Sequence, residues 1–225
     1  MIFRLTGDGL PATISEVAPR TERPSASSPR LSATEVAAWV ERARRGDAEA
    51  FRQLFHAHVV AVHRVVRRMV GARPEVDDLV QTAFVEAFRS LASFRGDALF
   101  STWLTRIAVR VSWRSRQRAR TTVTELAAGD VAEPAANTPG PERVTAARQT
   151  LLLVEALLDE LRPKRRAAFV LHVLEGYSMD EVAAILSTST SAVKVRVHDA
   201  RRHIERRLKQ RPELAAALEG TGGTQ

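Results

Sequence analysis

The stretch FRGDALFSTWLTRIAVRVSWRSRQRAR, Phe94 to Arg120, reads as a short loop that opens into a two-sided helix. Trp103, Ile107 and Val111 recur at helical spacing with Leu104 and Ala108 beside them, so one stripe faces a core. Arg106, Arg110, Arg114 and Arg118 recur at every fourth position and stack along one face. No acidic residue lies between Arg106 and Arg120, so the helix itself supplies no counter-charge. Such a face is either a solvated basic surface or the track of a polyanion. Phe94, Phe100 and Trp103 stand at the entrance of the helix. Arginines that follow phosphates, next to aromatics that stack on bases, describe a single-strand nucleic acid platform; ordinary core packing is the other reading of the three rings, for Trp103 above all and for Phe100 equally with the platform.

Working outward, composition agrees with a helical protein that meets polyanions. The 225 residues carry a formal charge of +8, with 44% apolar and 5% aromatic residues. Alanine, leucine, valine and arginine dominate, a mix that favours helix over sheet. A basic membrane-surface protein would have the same balance. The absence of cysteine removes disulfides, thiolate metal sites and cysteine nucleophiles together. No run of about 18 apolar residues suits a membrane span, and the N-terminus lacks the apolar core of a secretory signal. A cytoplasmic location is expected.

The pattern predicts an all-α chain of two helical domains joined by a flexible linker. Residues 1–31 carry four prolines among serines and threonines, and read either as a disordered tail or as an over-long start assignment. Residues 32–120 form the first domain, four antiparallel helices with short joints. Ser32 to Glu35 is a capping box, and Val36, Trp39, Val40 and Ala43 line one face. Gly46 and Asp47 separate that helix from a second, which runs to Gly71, and Pro74 suits the start of a third. Residues 121–145, punctuated by Gly and Pro, are the linker. Residues 146–210 form the second domain, and 211–225 a frayed tail.

Within the second domain, Ser178 to Glu181 is another capping box before Val182, Ala183, Ile185 and Leu186. Ser187, Thr188 and Ser189 turn the chain, and a long basic helix runs from about Thr190 to Leu208. A short helix, a tight turn and a longer basic helix make the helix-turn-helix pattern. On a helical wheel Val193, Val197, Ala200 and Ile204 face the domain. Ser191, Lys194, Val195, His198, Asp199 and Arg202 face outward, where base edges would be read, with Arg196 and Arg201 on the flanks for phosphates. Asp199 has two readings: an acceptor for a cytosine amino group, or a local ion-pair partner of Arg196 or Arg202.

Two blocks covering about 32–208 resemble the extracytoplasmic-function (ECF) group of bacterial RNA polymerase sigma factors. FRGDALFSTWLTRIA is similar to the family's promoter-melting segment, and GYSMDEVAAILSTSTSAVKVRVHDARRHIERRL to its domain for the −35 element. Ser187 stands where the family usually has glycine, and Asp199 where a basic residue is frequent. Asp77-Asp78-Leu79-Val80-Gln81 is similar to the core-binding signature. The resemblance implies a non-catalytic initiation subunit without cofactor. Its partners would be core RNA polymerase, promoter DNA and an anti-sigma factor. It assigns Asp77, Asp78, Leu79 and Gln81 to core polymerase. It assigns Phe94, Arg95, Asp97, Phe100, Trp103, Arg106, Arg110 and Arg114 to −10 binding and melting. It assigns Ser191, Lys194, Val195, Arg196, His198, Asp199, Arg201 and Arg202 to the −35 element. The acids Asp77 and Asp78 also complement the positive end of their helix.

Two other readings compete: a plain helix-turn-helix regulator and a helical adaptor for acidic proteins. The first would need neither the Asp-Asp helix nor a melting helix. His56, His58 and His63 do not share one face and are read as surface histidines, not metal ligands. Glu86 and Asp97 read as isolated acids, and Trp113, off the inner stripe, as an exposed residue near DNA.

Overall fold

The computed structural model describes residues 32–71, 73–126 and 146–211. In the first half, α1 spans Ala33–Arg44, α2 Ala48–Val70, α3 Val76–Ser90 and α4 Phe100–Leu126. In the second, α5 spans Ala146–Asp159, α6 Pro163–Phe169, α7 Met179–Leu186 and α8 Thr190–Gln210. Both capping boxes form: the Glu35 amide donates to Ser32 Oγ and the Glu181 amide to Ser178 Oγ, each at 3.1 Å. Asp47 caps α2 by accepting from the Glu49 and Ala50 amides. Val62, Val66 and Met69 of α2, Val80 and Phe84 of α3, and Leu104, Ile107 and Val111 of α4 meet in the first core. Phe169, Leu171, Leu186, Val193 and Ile204 build the second.

Two local features depart from the periodic expectation. Helix α4 continues to Leu126, into the expected linker. The rest of that linker and both terminal tails lie outside the described residues. The helix begun at Pro163 does not run unbroken to Gly176, because residues 170–174 widen into a π turn. The Glu175 amide bonds back five residues to the Val170 carbonyl at 2.9 Å. Such turns add a residue without ending the helix and re-aim the side chains beyond them; here the Glu175 side chain lies against the first half.

The two halves pack on each other. Arg64 and Arg68 of α2 reach Glu175 at 2.8 and 2.5 Å, and Arg67 reaches Glu155 of α5 at 2.7 Å. Arg166, fully buried, donates to the Arg68 carbonyl at 2.7 Å and to Asp159. Gly71 ends α2 at φ +90°, and a Cβ there would lie 3.3 Å from Asp159 Oδ2, so both conformation and closeness call for glycine. Burial lowers the pKa values of Arg68 and Arg166, with Glu175 and Asp159 respectively opposing the shift. An unpaired cation in that position would cost several kcal/mol, so the acids are structural partners and not ornaments of the surface.

Candidate nucleic-acid interface

Helix α3 presents the first surface. Asp77, Asp78 and Gln81 are exposed, and Leu79 is half-buried. Asp77 lies 3.3 Å from His63 Nε2 and Thr82 Oγ1 donates to the Asp78 backbone carbonyl; among the described residues neither carboxylate is held by an arginine. Beside them, Phe51, Phe55, Val59, Phe84, Val85 and Phe88 line an apolar groove between α2 and α3 of about 820 Å³. Val85 and Phe88 stay 41% and 48% exposed, which makes this an unfilled apolar face next to a row of acids.

The second surface is α4 with the loop before it, where Phe94 and Phe100 lie in the core and Trp103 at its edge. Phe94 and Phe100 are only 9% and 5% exposed. Their rings meet edge-on at 5.7 Å, and Trp103 lies 5.3 Å from Phe94 and 5.6 Å from Phe100. The three rings stack on each other because burying an aromatic ring against others is worth more than leaving it in water for an absent base. Trp103, half-buried, keeps an open edge, and Arg95, Asp97 and Leu99 of the loop are exposed. His58 packs on Phe100 at 5.3 Å with its Nε2 buried and unpaired among the described residues, so it is not the surface histidine expected. Burial lowers its pKa.

The arginine face of α4 is also less bare than the helix alone suggests. Glu86 of α3 takes Arg114 and lies 3.5 Å from Arg110. Arg106 donates to Ser187 Oγ at 2.6 Å, in the turn between α7 and α8. A second, half-buried tie reinforces that bond: the Thr105 and Tyr177 hydroxyls lie 2.8 Å apart. Glu86 therefore is not isolated; no periodicity within α4 could have revealed a partner that sits on α3.

The third surface is α8. Val193, Val197, Ala200 and Ile204 are buried, as the wheel requires. Ser191, Lys194, Val195, His198 and Arg202 are exposed, Val195 at 60%, while Arg196, Asp199 and Arg201 are half-buried. Ser189 caps α8 through the Ala192 amide at 3.2 Å. Ser187 adopts φ +49°, the left-handed conformation that closes α7, at the position where glycine is usual. Asp199 pairs with neither Arg196 nor Arg202: its carboxylate takes Arg165 of α6 at 2.8 Å.

The sequence and the fold both match known proteins. The family model for Sigma-70 region 2 matches residues 54–122, and that for Sigma-70 region 4 matches residues 151–204. The chain is 32% identical over 177 residues to the ECF RNA polymerase sigma-E factor of Escherichia coli strain K12, covering 76% of this chain and 92% of that one. This chain is an ECF sigma factor. The sigma factor is also 35% identical over 166 residues to the RNA polymerase sigma factor NccH of Alcaligenes xylosoxydans xylosoxydans, covering 73% and 89%. Among solved structures it resembles CnrH in complex with the cytosolic domain of CnrY, at 29% identity and a TM-score of 0.58, over 77% of this chain and 97% of that one. The sigma factor RpoE of Bartonella quintana, solved with the anti-sigma factor NepR, shares the fold at 23% identity and a TM-score of 0.57, over 72% and 98%. As a sigma factor the protein is a non-catalytic subunit that serves transcription initiation by promoter recognition. Among the described residues no helix is long and apolar enough to cross a membrane.

Proposed function

We propose that three surfaces of this sigma factor divide the work of initiation. Asp77, Asp78, Leu79 and Gln81 on α3 bind core polymerase, where exposed acids on a basic protein select a basic partner face. The loop with Arg95 and Asp97, the open edge of Trp103, and Arg106, Arg110 and Arg114 meet the −10 element, with Phe94 and Phe100 holding Trp103 in place from the core. Ser191, Lys194, Val195, Arg196, His198, Asp199, Arg201 and Arg202 on α8 meet the −35 element, the exposed ones at bases and the flanking arginines at phosphates. Residues 32–120 and 146–210 serve as the two promoter-binding domains, joined by 121–145, in a cytoplasmic protein. The observation that carries this reading is the outward, unfilled face of α8 beside a buried Val193, Val197, Ala200 and Ile204 stripe. An anti-sigma factor is the proposed controlling partner, because the CnrH structure, which this chain resembles, holds the cytosolic domain of CnrY.

Reconstitution tests the proposal. The full chain and purified core polymerase are used to select transcribed promoters from a library randomised in both elements. Enriched −35 and −10 motifs, lost together when core is omitted, support it. Duplex binding of the same motifs without core, and no transcript with core, would leave a plain helix-turn-helix regulator.

A further inference from the structure

We propose that the cleft between the two halves is a binding site for a nucleoside polyphosphate. The cleft holds about 580 Å³, opens to solvent, and is lined by Trp113 and Arg116 of α4, and by Arg162, Lys164, Arg165 and Arg196 from the second half. That volume is the size of a small-molecule site. Asp199 is the lone acid on its walls against five cations. Arg165 is taken by Asp199, and Arg116 by Asp159 and the Met69 carbonyl. The side chains of Arg162, Lys164 and Arg196 have no ion-pair or hydrogen-bond partner among the described residues. Three unmatched cations around one cavity repel each other, and a polyphosphate chain removes that repulsion through charge-assisted hydrogen bonds.

Trp113 decides between a bare anion and a nucleotide. The ring is half-buried at the cleft wall, not out on the surface where sequence alone put it. An indole face beside cations is the pairing by which proteins take a base and its phosphates together. Because the lining comes from both halves, a ligand that fits the cleft binds only the packed form and holds the two halves together. Promoter binding is not needed for this site to work.

Calorimetric titration of the full chain with ATP, GTP and inorganic tripolyphosphate, alongside thermal unfolding, tests the proposal. A saturable signal for at least one nucleotide, a raised Tm and weaker tripolyphosphate binding are expected. Arg162→Ala with Lys164→Ala lies at exposed positions and should weaken nucleotide binding about tenfold or more with circular dichroism unchanged. Trp113→Leu should bring nucleotide affinity down to that of tripolyphosphate. Tripolyphosphate binding as tightly as nucleotide to the unaltered chain would overturn the base-stacking claim. No saturable nucleotide signal, an affinity untouched by the double substitution, or binding confined to an oligonucleotide or polyglutamate probe would overturn the site.

Discussion

The Glu175 carboxylate receives the Arg68 guanidinium at 2.5 Å across the boundary between the two halves, with the Glu175 side chain only 2% exposed. Arg64 joins it at 2.8 Å. The two guanidiniums supply the counter-charge for a carboxylate that deep, and the carboxylate in turn pairs Arg68, whose side chain is only 12% exposed. Removing the acid alone leaves the nearly buried Arg68 without its carboxylate, at a cost of about 3–5 kcal/mol for breaking a buried pair. Glu175→Ala should therefore loosen the packing of the halves while each keeps its helices. The chain has no cysteine, so a pair introduced at Arg45 and Lys209 can carry fluorescent labels at unique positions. A longer transfer distance and a lower unfolding midpoint are expected; an unchanged distance distribution would show that the apolar packing alone holds the halves.

Core binding makes the next prediction. Asp78→Arg with Gln81→Arg reverses the exposed face of α3 without touching Val80, Ala83 or Phe84, which are buried. Assembly with core polymerase should be lost, while circular dichroism and Tm stay near those of the unaltered chain, as surface changes usually do within about 0.5 kcal/mol. Normal assembly by the folded double variant would move the docking face elsewhere, with the neighbouring Phe88 groove the first place to look.

How far the sequence could be read depends on what helical periodicity reports. A 3.6-residue stripe says which face of a helix is buried, and Val193, Val197, Ala200 and Ile204 are buried accordingly. Capping boxes are local, so Ser32 with Glu35 and Ser178 with Glu181 could be placed from their own neighbourhoods. Periodicity does not say which residue of another helix will stand opposite. Glu86 lies 24 and 28 positions from the arginines it meets, and Glu175 lies 107 from Arg68. The π turn that brings Glu175 to the boundary leaves no mark in a run of apolar residues such as VLHVL. His58 escaped for a related reason: a histidine on a mixed face is judged exposed until the ring that covers it, Phe100, is placed.

Glu86 turns the arginine face into a measurable competition. Arg110 and Arg114 are already paired with it, so they must leave it to meet phosphates. Glu86→Gln should strengthen promoter binding by roughly two- to fivefold, the range of an exposed ion pair. Arg110→Ala with Arg114→Ala should weaken binding and flatten its dependence on salt by about one unit of slope for each phosphate no longer neutralised. If both variants leave the salt slope unchanged, these arginines serve α3–α4 packing and not DNA.

His58 predicts a pH dependence of stability. Burial disfavours its charged form, so its folded pKa lies below the ordinary value near 6.5. Below that value the unfolded chain takes up a proton that the folded chain refuses. Stability is then fully present above the unfolded pKa and falls as pH drops towards the folded one. Urea unfolding of the unaltered chain and of His58→Leu at a series of pH values should show a smaller loss on acidification in the variant. Parallel curves would mean that the ring beside Phe100 is protonated at no cost, and that its packing opens readily to water.

Asp199 is held by Arg165 of α6 at 2.8 Å, and neither Arg196 nor Arg202 of its own helix supplies the partner. Half-buried beside Val195 and His198, it is fixed in place by a different element, which makes it better suited to direct readout than a freely turning carboxylate. The tie also has a cost to binding: a base must compete with Arg165 for the same oxygens. If Asp199 accepts from a cytosine amino group, Asp199→Ala should change the preferred base at one −35 position, with discrimination there falling by about 1–3 kcal/mol. Arg165→Ala should then keep the same preferred base, because the acceptor remains while its anchor is gone. If the acid only neutralises Arg165, Asp199→Ala frees a cation near the phosphates, and every sequence should bind more tightly with the preference intact. Selections over randomised −35 elements with the three proteins separate these outcomes: a shifted base places Asp199 on the reading face, and a uniform gain in affinity removes it.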